Sequence, residues 1–183
     1  MDYAIAQWFV DHRDSVLTHV SALFMWLGSS TLGMAVVGCG ILVLSLLIRT
    51  WRPLLASTAS ALVGGVAALV LKQVNARPRP GDGLSMVHAT GYSMPSSAAT
   101  ICVAASVGFL YAARLPRPFA APVTGAFLLA VVGVCWSVVY LGAHWFSDVV
   151  AGILLGLACG AVVVALFRRL WPSRPADSGR ISP

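Results

Sequence analysis

Two polar stretches in an otherwise apolar chain hold the residue types that could bind and attack a phosphate group. The first contains Lys72, Arg77 and Arg79, and the second runs from His144 to Asp148. Lysine and arginine side chains are common ligands of phosphate oxygens. Three cations without a matching group of acids make a poor ion-pair network, so the first stretch predicts an anion site.

The spacing of His144 and Asp148 suits a reactive histidine. Residues four apart share one face of a helix or of its entry turn, so the two side chains can touch. A carboxylate beside an imidazole fixes the ring tautomer and raises its basicity. A plain polar pair at the membrane interface is the alternative. Ser147 is expected to cap the helix that follows.

The residues Pro95, Ser96 and Ser97 open an apolar segment and predict a second part of the anion site. Proline suits the first position of a helix, and the first turn of a helix leaves backbone N–H groups unpaired. Such a helix start attracts phosphate. In the alternative interpretation, Ser96 and Ser97 only cap the helix and the cations extend to lipid headgroups.

The composition of the chain is that of a membrane protein. Of its 183 residues, 58% are hydrophobic and 10% are charged, and the mean hydropathy is +0.86. An ordinary soluble domain has about a quarter of its residues charged, so a soluble fold is excluded and one membrane domain is expected. The four cysteines are far apart along the chain, which argues against a disulfide framework or a cysteine metal site.

Apolar runs divide the chain into about six predicted transmembrane helices, each of about 20 residues. Five runs fit, at residues 32–48, 54–71, 98–113, 119–139 and 149–167. Segment 15–27 is interpreted as a sixth span, with an interfacial helix as the alternative. The predicted fold is an all-α integral membrane bundle. Residues 1–14 form an amphipathic lead-in, 15–170 the transmembrane domain and 171–183 a disordered cytoplasmic tail.

The basic residues predict how the bundle is oriented. With six spans, most of them share one face: Arg13, Arg49, Arg52, Arg114, Arg117, Arg168, Arg169, Arg174 and Arg180. The positive-inside rule puts that face in the cytoplasm. Both termini are then cytoplasmic, and the polar stretches lie outside the plasma membrane. If segment 15–27 does not span, the N-terminus moves outside. Because topology accounts for most of the positive charge, nucleic-acid binding is not expected.

Taken in order, these motifs resemble those of the membrane-bound type 2 phosphatidic acid phosphatase (PAP2) family. The family pattern is Lys-x6-Arg-Pro, then Pro-Ser-Gly-His, then Ser-Arg-x5-His-x3-Asp. The matching residues are Lys72, Arg79, Pro80, Pro95, Ser96, Ser137, His144 and Asp148. The resemblance covers residues 15–168 of the chain.

The resemblance implies a lipid phosphatase that needs no metal and no cofactor, because fixed cations do the electrostatic work. His144 would be the nucleophile that takes the phosphoryl group as phosphohistidine, and Asp148 would orient it. The partners implied are a phosphorylated lipid and the bilayer. The predicted phosphate-binding residues are Lys72, Arg79, Ser96 and Ser97, together with Arg77, an extra cation within the first motif.

Two departures from the family pattern bear on the substrate. Ala98 stands where the family has the histidine that protonates the leaving oxygen, a contribution of about 10²–10⁴-fold. Val138 replaces a phosphate-binding arginine. A lipid diphosphate expels a phosphate that leaves unaided, whereas a monophosphate expels an alkoxide that needs a proton. Polyprenyl diphosphate is therefore the predicted substrate. Arg77 and His88 are candidates to replace the missing charge and the missing acid.

Two other functions fit the same sequence. A PAP2-like homologue with impaired catalysis would bind a phosphorylated lipid without hydrolysing it. A structural membrane protein would have no ligand. The spacing of Gly152, Gly156 and Gly160 favours close packing between spans of one chain over a dimer face.

Overall fold

The computed structural model describes residues 1–171, which form seven α-helices and no strand. The helices are α1 (Asp2–Asp11), α2 (Ser15–Ser29), α3 (Thr31–Leu47), α4 (Arg52–Asn75), α5 (Ser97–Ala113), α6 (Arg117–Tyr140) and α7 (Phe146–Leu170). The predicted all-α class is confirmed, and each of the six predicted apolar segments is a helix, from α2 to α7. The predicted tail lies outside the described residues from residue 172 onward.

Three helices, α4, α6 and α7, are each long and apolar enough to cross a membrane. Helices α2 and α3 meet that standard only as a pair, and they are bent by 76° at the break between them. Helix α5 is apolar but has only 17 residues. Large apolar side chains remain exposed along these helices, as contact with hydrocarbon requires. The chain is therefore a multi-pass membrane protein whose spans are less uniform than the sequence predicts.

Helix α5 lies at the centre of the bundle, packed between α4 and α7. Small residues allow this close approach. A Cβ atom at Gly152 would lie 2.7 Å from the Ser96 carbonyl oxygen, and one at Gly156 would lie 2.7 Å from that of Thr100. Gly160 faces the same helix at 2.8 Å. The glycine series therefore packs α7 onto α5 within one chain, which confirms the prediction of internal packing.

Helix α2 does not cross the bundle from one end to the other. At its start, the backbone N–H of Asp14 donates to the Tyr140 hydroxyl (2.9 Å), which lies at the last residue of α6. At its end, Ser29 lines the same cavity as His144. The start of α2 therefore lies at the end of the bundle where α6 stops, whereas its far end lies deeper, since a Cβ atom on Gly28 would lie 2.8 Å from the Val134 side chain. Helix α2 is thus the first half of a bent pair with α3, and only the pair is long and apolar enough for one span.

The two ends of the described chain lie at opposite ends of the bundle. Asp2 accepts a hydrogen bond from the backbone N–H of Ser147 (3.1 Å), at the first turn of α7. At the other end, Arg52 donates to the carbonyl of Trp171 (3.0 Å). This arrangement of the described ends does not support the expectation that both termini share a face. The reason is that α2 and α3 together, bent by 76°, have the length of a single span.

The segment between α4 and α5, residues 76–96, folds back over the end of the bundle. Ala76 ends α4 in the left-handed conformation, with φ at +46°. The turn after α6 contacts this segment at Gly142, which has φ at +74°. A Cβ atom on Gly142 would lie 2.3 Å from the carbonyl oxygen of Leu84. Glycine at this position therefore lets the two polar stretches meet.

Candidate active site

The two polar stretches meet around a cavity of about 260 Å³ at one end of the bundle. Four of the predicted site residues line it: Lys72 from α4, Arg79 from segment 76–96, Ser97 from the start of α5 and His144 from the turn between α6 and α7. The other lining residues are small or apolar: Met25, Gly28, Ser29, Met34, Ala89, Ala98, Ile101, Val138 and Ala143. A charged end and an apolar wall thus share one pocket.

The hydrogen bonds of His144 identify its tautomer. Its Nε2 atom lies 3.3 Å from a guanidinium nitrogen of Arg79. A guanidinium group can only donate, so Nε2 holds the lone pair of the ring and Nδ1 carries the hydrogen. Nδ1 faces an oxygen of Asp148 at 3.6 Å, beyond hydrogen-bond length and within ion-pair distance. The nitrogen beside the cation therefore carries the lone pair that a nucleophile requires.

His144 is neutral near pH 7. Burial lowers the pKa of its imidazole below the ordinary value, and the interaction with Asp148 opposes that effect. The positive charges of Arg79 and Lys72 lower the pKa further. A neutral ring keeps its lone pair, as nucleophilic attack requires.

Both carboxylate oxygens of Asp148 are held in place. One accepts a hydrogen bond from the backbone N–H of Trp145 (2.9 Å) and faces His144. The other accepts from Arg77 (2.7 Å). The side chain is fully buried, where a carboxylate is stable only when it is paired. This geometry can orient the His144 ring and stabilise it as it becomes cationic.

Among the described residues, no carboxylate neutralises the positive charge of Lys72 or Arg79 through an ion pair. Lys72 is buried, and its ammonium group donates to the backbone carbonyl of Tyr92 (2.8 Å). Arg79 donates to the Ala143 carbonyl (2.7 Å) and to two carbonyls of segment 76–96. Within residues 1–171, neither cation has a carboxylate within 4.0 Å. Two fixed cations without a carboxylate partner, beside an imidazole lone pair, can bind the oxygens of a phosphoryl group.

The start of α5 differs in detail from the prediction. The helix begins at Ser97, so Pro95 precedes the N-cap residue instead of occupying the first helical position. Ser96 is at the N-cap, but its hydroxyl makes no capping bond, and it is buried without a partner among the described residues. The backbone N–H of Ser96 donates to the carbonyl of Asp148 (3.0 Å). Capping therefore does not account for the Ser96 hydroxyl, and Ser97 is the serine that lines the cavity.

Arg77 does not line the cavity. One of its guanidinium nitrogens donates to Asp148 (2.7 Å) and to the Ser147 hydroxyl (2.6 Å), and the other donates to Asp2 (2.7 Å). Two carboxylates thus occupy its charge. These contacts do not support the predictions that Arg77 binds phosphate and that it replaces the missing family arginine. Ser147 is likewise not the cap of α7, since Trp145 holds that position.

Asp2 is the site residue that sequence reasoning missed. Its carboxylate accepts hydrogen bonds from the backbone N–H and the hydroxyl of Ser147 and from Arg77. Hydrogen bonds from Ser147 and Arg77 lower the pKa of Asp2 below its ordinary value, against the effect of burial. These partners lie 75 and 145 residues away along the chain. The local sequence of α1 carries no signal of that contact.

The two departures from the family pattern both lie at the cavity. Ala98 and Val138 are buried and line it, so neither a proton donor nor a third cation is present at those two positions. His88 is exposed and does not line the cavity. The role of His88 as the missing acid therefore remains a prediction that the geometry does not support.

A second, apolar cavity of about 380 Å³ adjoins the first. It is lined by residues of α2 to α6, and it shares Gly28, Met34 and Ile101 with the charged cavity. Its wall is almost wholly hydrophobic. The two cavities together have the form expected for a molecule with a charged head and an apolar chain.

Comparison with known proteins gives a family and a fold. The model of the PAP2 superfamily matches residues 26–172. The decaprenylphosphoryl-5-phosphoribose phosphatase of Mycobacterium tuberculosis is 32% identical over 118 residues, in two strains. The aligned region is 63% of this chain and 62% of that protein, so the chain spans less than two thirds of the length of these curated relatives.

Two solved structures are similar to this one. The crystal structure of a transmembrane PAP2 type phosphatidylglycerolphosphate phosphatase from Bacillus subtilis has a TM-score of 0.81 and 25% identity, over 94% of this chain and 87% of that one. Aquifex aeolicus LpxE has a TM-score of 0.69 and 18% identity, over 89% of this chain and 94% of that one, and shows the fold alone. Because the family model matches well over half of its length, this chain belongs to the PAP2 superfamily.

Proposed function

We propose that this chain is a metal-independent lipid phosphatase that uses His144 as its nucleophile and acts on a polyprenyl diphosphate. The observation that carries the proposal is the environment of His144. Its ring is buried and neutral, and its Nε2 lone pair lies beside Arg79 at the wall of the charged cavity. Membership of the PAP2 superfamily supports the same reaction class.

In the first step, Nε2 of His144 forms a bond to the terminal phosphorus of the substrate. The bond between that phosphorus and the bridging oxygen breaks, and the lipid monophosphate leaves with its electron pair. Lys72 and Arg79 bind the oxygens of the transferring group, where charge stabilisation matters most. Asp148 stabilises the ring through the Nδ1 hydrogen as Nε2 becomes bonded to phosphorus.

In the second step, water forms a bond to the phosphorus of phosphohistidine and the P–N bond breaks. Inorganic phosphate leaves with the water oxygen and one proton, the second proton passes to solvent, and His144 is neutral again. No residue at position 98 can donate a proton, because it is alanine. The reaction is therefore easiest for a leaving group that needs no proton, which favours a diphosphate over a monophosphate.

The apolar cavity supports a lipid over a soluble phosphate ester. It opens beside the charged cavity and shares residues with it, so a headgroup at His144 would have its first apolar segment between α3 and α5. Burial of apolar surface contributes about 25 cal/mol per Å². A soluble phosphate ester would leave that surface without a partner.

The site would face away from the cytoplasm. Six described arginines lie at the opposite end of the bundle: Arg49, Arg52, Arg114, Arg117, Arg168 and Arg169. The positive-inside rule assigns that end to the cytoplasm. The substrate would then reach the site from the outer leaflet of the plasma membrane.

The names of the relatives add a second candidate substrate. The mycobacterial relative is named a decaprenylphosphoryl-5-phosphoribose phosphatase. The substrate in that name is a polyprenyl lipid that carries a sugar phosphate. A chain of that class would fit the same apolar cavity. Its phosphate is an ester of a sugar hydroxyl, however, so its removal would need the proton that position 98 does not supply.

The test is phosphate release by the purified protein in detergent. The substrates are a polyprenyl diphosphate, the matched monophosphate and decaprenylphosphoryl-5-phosphoribose, each without added metal and in the presence of a chelator. His144→Ala should abolish release from all of them. His19→Ala is the matched control, because His19 is exposed and bonds only to the carbonyl of Ser15. His88→Ala separately tests that residue as a proton donor.

Release from the diphosphate that His144→Ala abolishes would support the proposal. Equal rates for the matched mono- and diphosphate would remove the preference for diphosphate. If the folded protein released no phosphate from any of these substrates, the proposed phosphatase activity would be refuted. Binding of the same lipids without release would then support the alternative, a PAP2-like homologue that binds a phosphorylated lipid without hydrolysing it.

A further inference from the structure

We propose that Asp2 and Arg77 form a positioning pair that holds the Asp148 carboxylate against His144, which makes helix α1 part of the functional unit. This inference rests on the proposed function of His144. Neither Asp2 nor Arg77 lines the charged cavity, so neither would touch substrate. Their effect would pass through Asp148.

Asp148 is held at both of its carboxylate oxygens. Its two oxygens have different partners: one accepts from Arg77 (2.7 Å), and the other accepts from the Trp145 N–H and faces His144. A carboxylate held at both oxygens cannot rotate about its terminal bond. Arg77 is the only side chain on its oxygen among the described contacts, so Arg77 sets the angle that the other oxygen presents to His144.

Arg77 lies between two carboxylates, those of Asp148 and Asp2. Its second guanidinium nitrogen donates to Asp2 (2.7 Å), so the two ion pairs share one cation. These bonds raise the pKa of Arg77 above its ordinary value, against the effect of burial. A guanidinium that bonds to both acids at fixed angles is held more firmly than one paired with a single acid.

Asp2 is anchored at the start of α7. It accepts from the backbone N–H and the hydroxyl of Ser147, in the first turn of α7. The start of a helix favours a negative charge. Asp2 therefore closes a ring of hydrogen bonds with Arg77 and Ser147, and Arg77 links this ring to Asp148. Helix α1 packs against α6 and α7 and so holds Asp2 there.

The charges of Asp2 and Arg77 predict that removing one or the other has opposite effects on the protonation of His144. Arg77 neutralises part of the negative charge of Asp148, and Asp2 neutralises part of the positive charge of Arg77. Without Asp2, the positive charge of Arg77 acts on Asp148 alone. Asp148 then carries less effective negative charge and stabilises protonated His144 less. Loss of Arg77 leaves Asp148 with more of its charge for His144. The other charged groups that act on His144 are Lys72 and Arg79, and neither variant touches them.

The test compares Asp2→Asn, Arg77→Met and Arg77→Lys in the full-length protein, with Asp11→Asn as the matched control. Asp11 lies on the same helix, is exposed and bonds to Gln7 (2.9 Å). Three quantities are measured: kcat and KM on the preferred lipid, the titration of the His144 ring by NMR of histidine-labelled protein, and the melting temperature.

We expect Arg77→Met to lower kcat by up to about 10²-fold with KM unchanged, since misplacement by about 1 Å costs that much. Asp2→Asn should lower kcat by less. The His144 titration should move down in Asp2→Asn and up in Arg77→Met. Arg77→Lys should recover part of the rate, and Asp11→Asn should match the wild type.

A fall in melting temperature without a change in kcat or in the His144 titration would mean that the ring is only structural, and would overturn the inference. Wild-type kcat in both Asp2→Asn and Arg77→Met would also overturn it. If the wild-type protein released no phosphate at all, the proposed function would fail first. The His144 titration would still decide, by opposite shifts or by none, whether Asp2 and Arg77 act on that ring.

Discussion

Restoring a proton donor at position 98 should change the substrate preference of the protein. Ala98 lies in the first turn of α5 and lines the charged cavity with Lys72 and His144. Ala98→His places an imidazole at that wall, where it can protonate a leaving oxygen. A general acid contributes about 10²–10⁴-fold to such a step, equal to about 2.7–5.4 kcal/mol of activation free energy at 1.36 kcal/mol per tenfold.

The gain should appear for a lipid monophosphate and not for a diphosphate with the same chain. The alkoxide that leaves a monophosphate needs the proton, whereas the phosphate that leaves a diphosphate does not. The rate for the monophosphate divided by the rate for the diphosphate should therefore rise by the full factor of about 10²–10⁴. The new imidazole must be protonated to act, so the gain should be larger at pH 6 than at pH 8.

The assay is phosphate release from matched polyprenyl mono- and diphosphates in detergent. Ala98→Asn is the control for side-chain bulk, because an amide has no acidic proton to give. The double variant Ala98→His with His144→Ala should be inactive, since the nucleophile is gone.

One result would refute the leaving-group argument: Ala98→His is folded, with wild-type melting temperature and lipid binding, but hydrolyses the monophosphate no faster than the wild type does. An equal gain for both lipids would also contradict the leaving-group argument, because only the alkoxide that leaves the monophosphate needs a proton. Either result would mean that another group already supplies the proton or that departure of the leaving group does not limit the rate.

Other predictions follow from the same structure. The value of kcat/KM should fall as the pH drops through the pKa of His144, which burial places below its ordinary value, because protonation removes the Nε2 lone pair. A profile that stays flat down to the pH at which the protein unfolds would contradict this. Arg79→Gln should lower kcat by about 10²–10³-fold, the cost of losing one fixed donor to a transferring group, which steady-state kinetics on the preferred lipid will show. Gly156→Leu should destabilise the bundle by about 1–3 kcal/mol through overpacking against α5, whereas Gly125→Leu, with nothing within 4 Å of its Cβ position, should leave the melting temperature unchanged. Intact spheroplasts should hydrolyse substrate added to the outer leaflet without permeabilisation, and hydrolysis only after permeabilisation would reverse the orientation.

The helices of this protein can be predicted from sequence because each depends on a local property. An apolar run that stops at a charged residue specifies where a membrane helix begins and ends. The predicted run 98–113 became α5 (Ser97–Ala113), and the run 119–139 lies inside α6 (Arg117–Tyr140). The segment 15–27 was harder, because its length and polarity fit both a tilted span and an interfacial helix. In the structure it is neither by itself, because α2 forms a bent pair with α3 and only the pair has the length of a span.

The residues of the charged cavity could also be predicted in part. Lys72, Arg79, Ser97 and His144 stood out because charged and polar side chains are rare in such an apolar chain. Their residue types already indicated anion chemistry. Arg77 had the same type and a similar position along the chain, yet it turns away from the cavity. Residue type alone does not show which way a side chain points.

The sequence by itself therefore determined the membrane setting, the helices and the kind of chemistry, since these follow from hydropathy and from local spacing. The tertiary structure decided which cation stays free and which is neutralised. That outcome depends on Asp2, whose partners Arg77 and Ser147 are 75 and 145 residues away. Contacts of such separation leave no local pattern, because they exist only once α1 has packed against the first turn of α7.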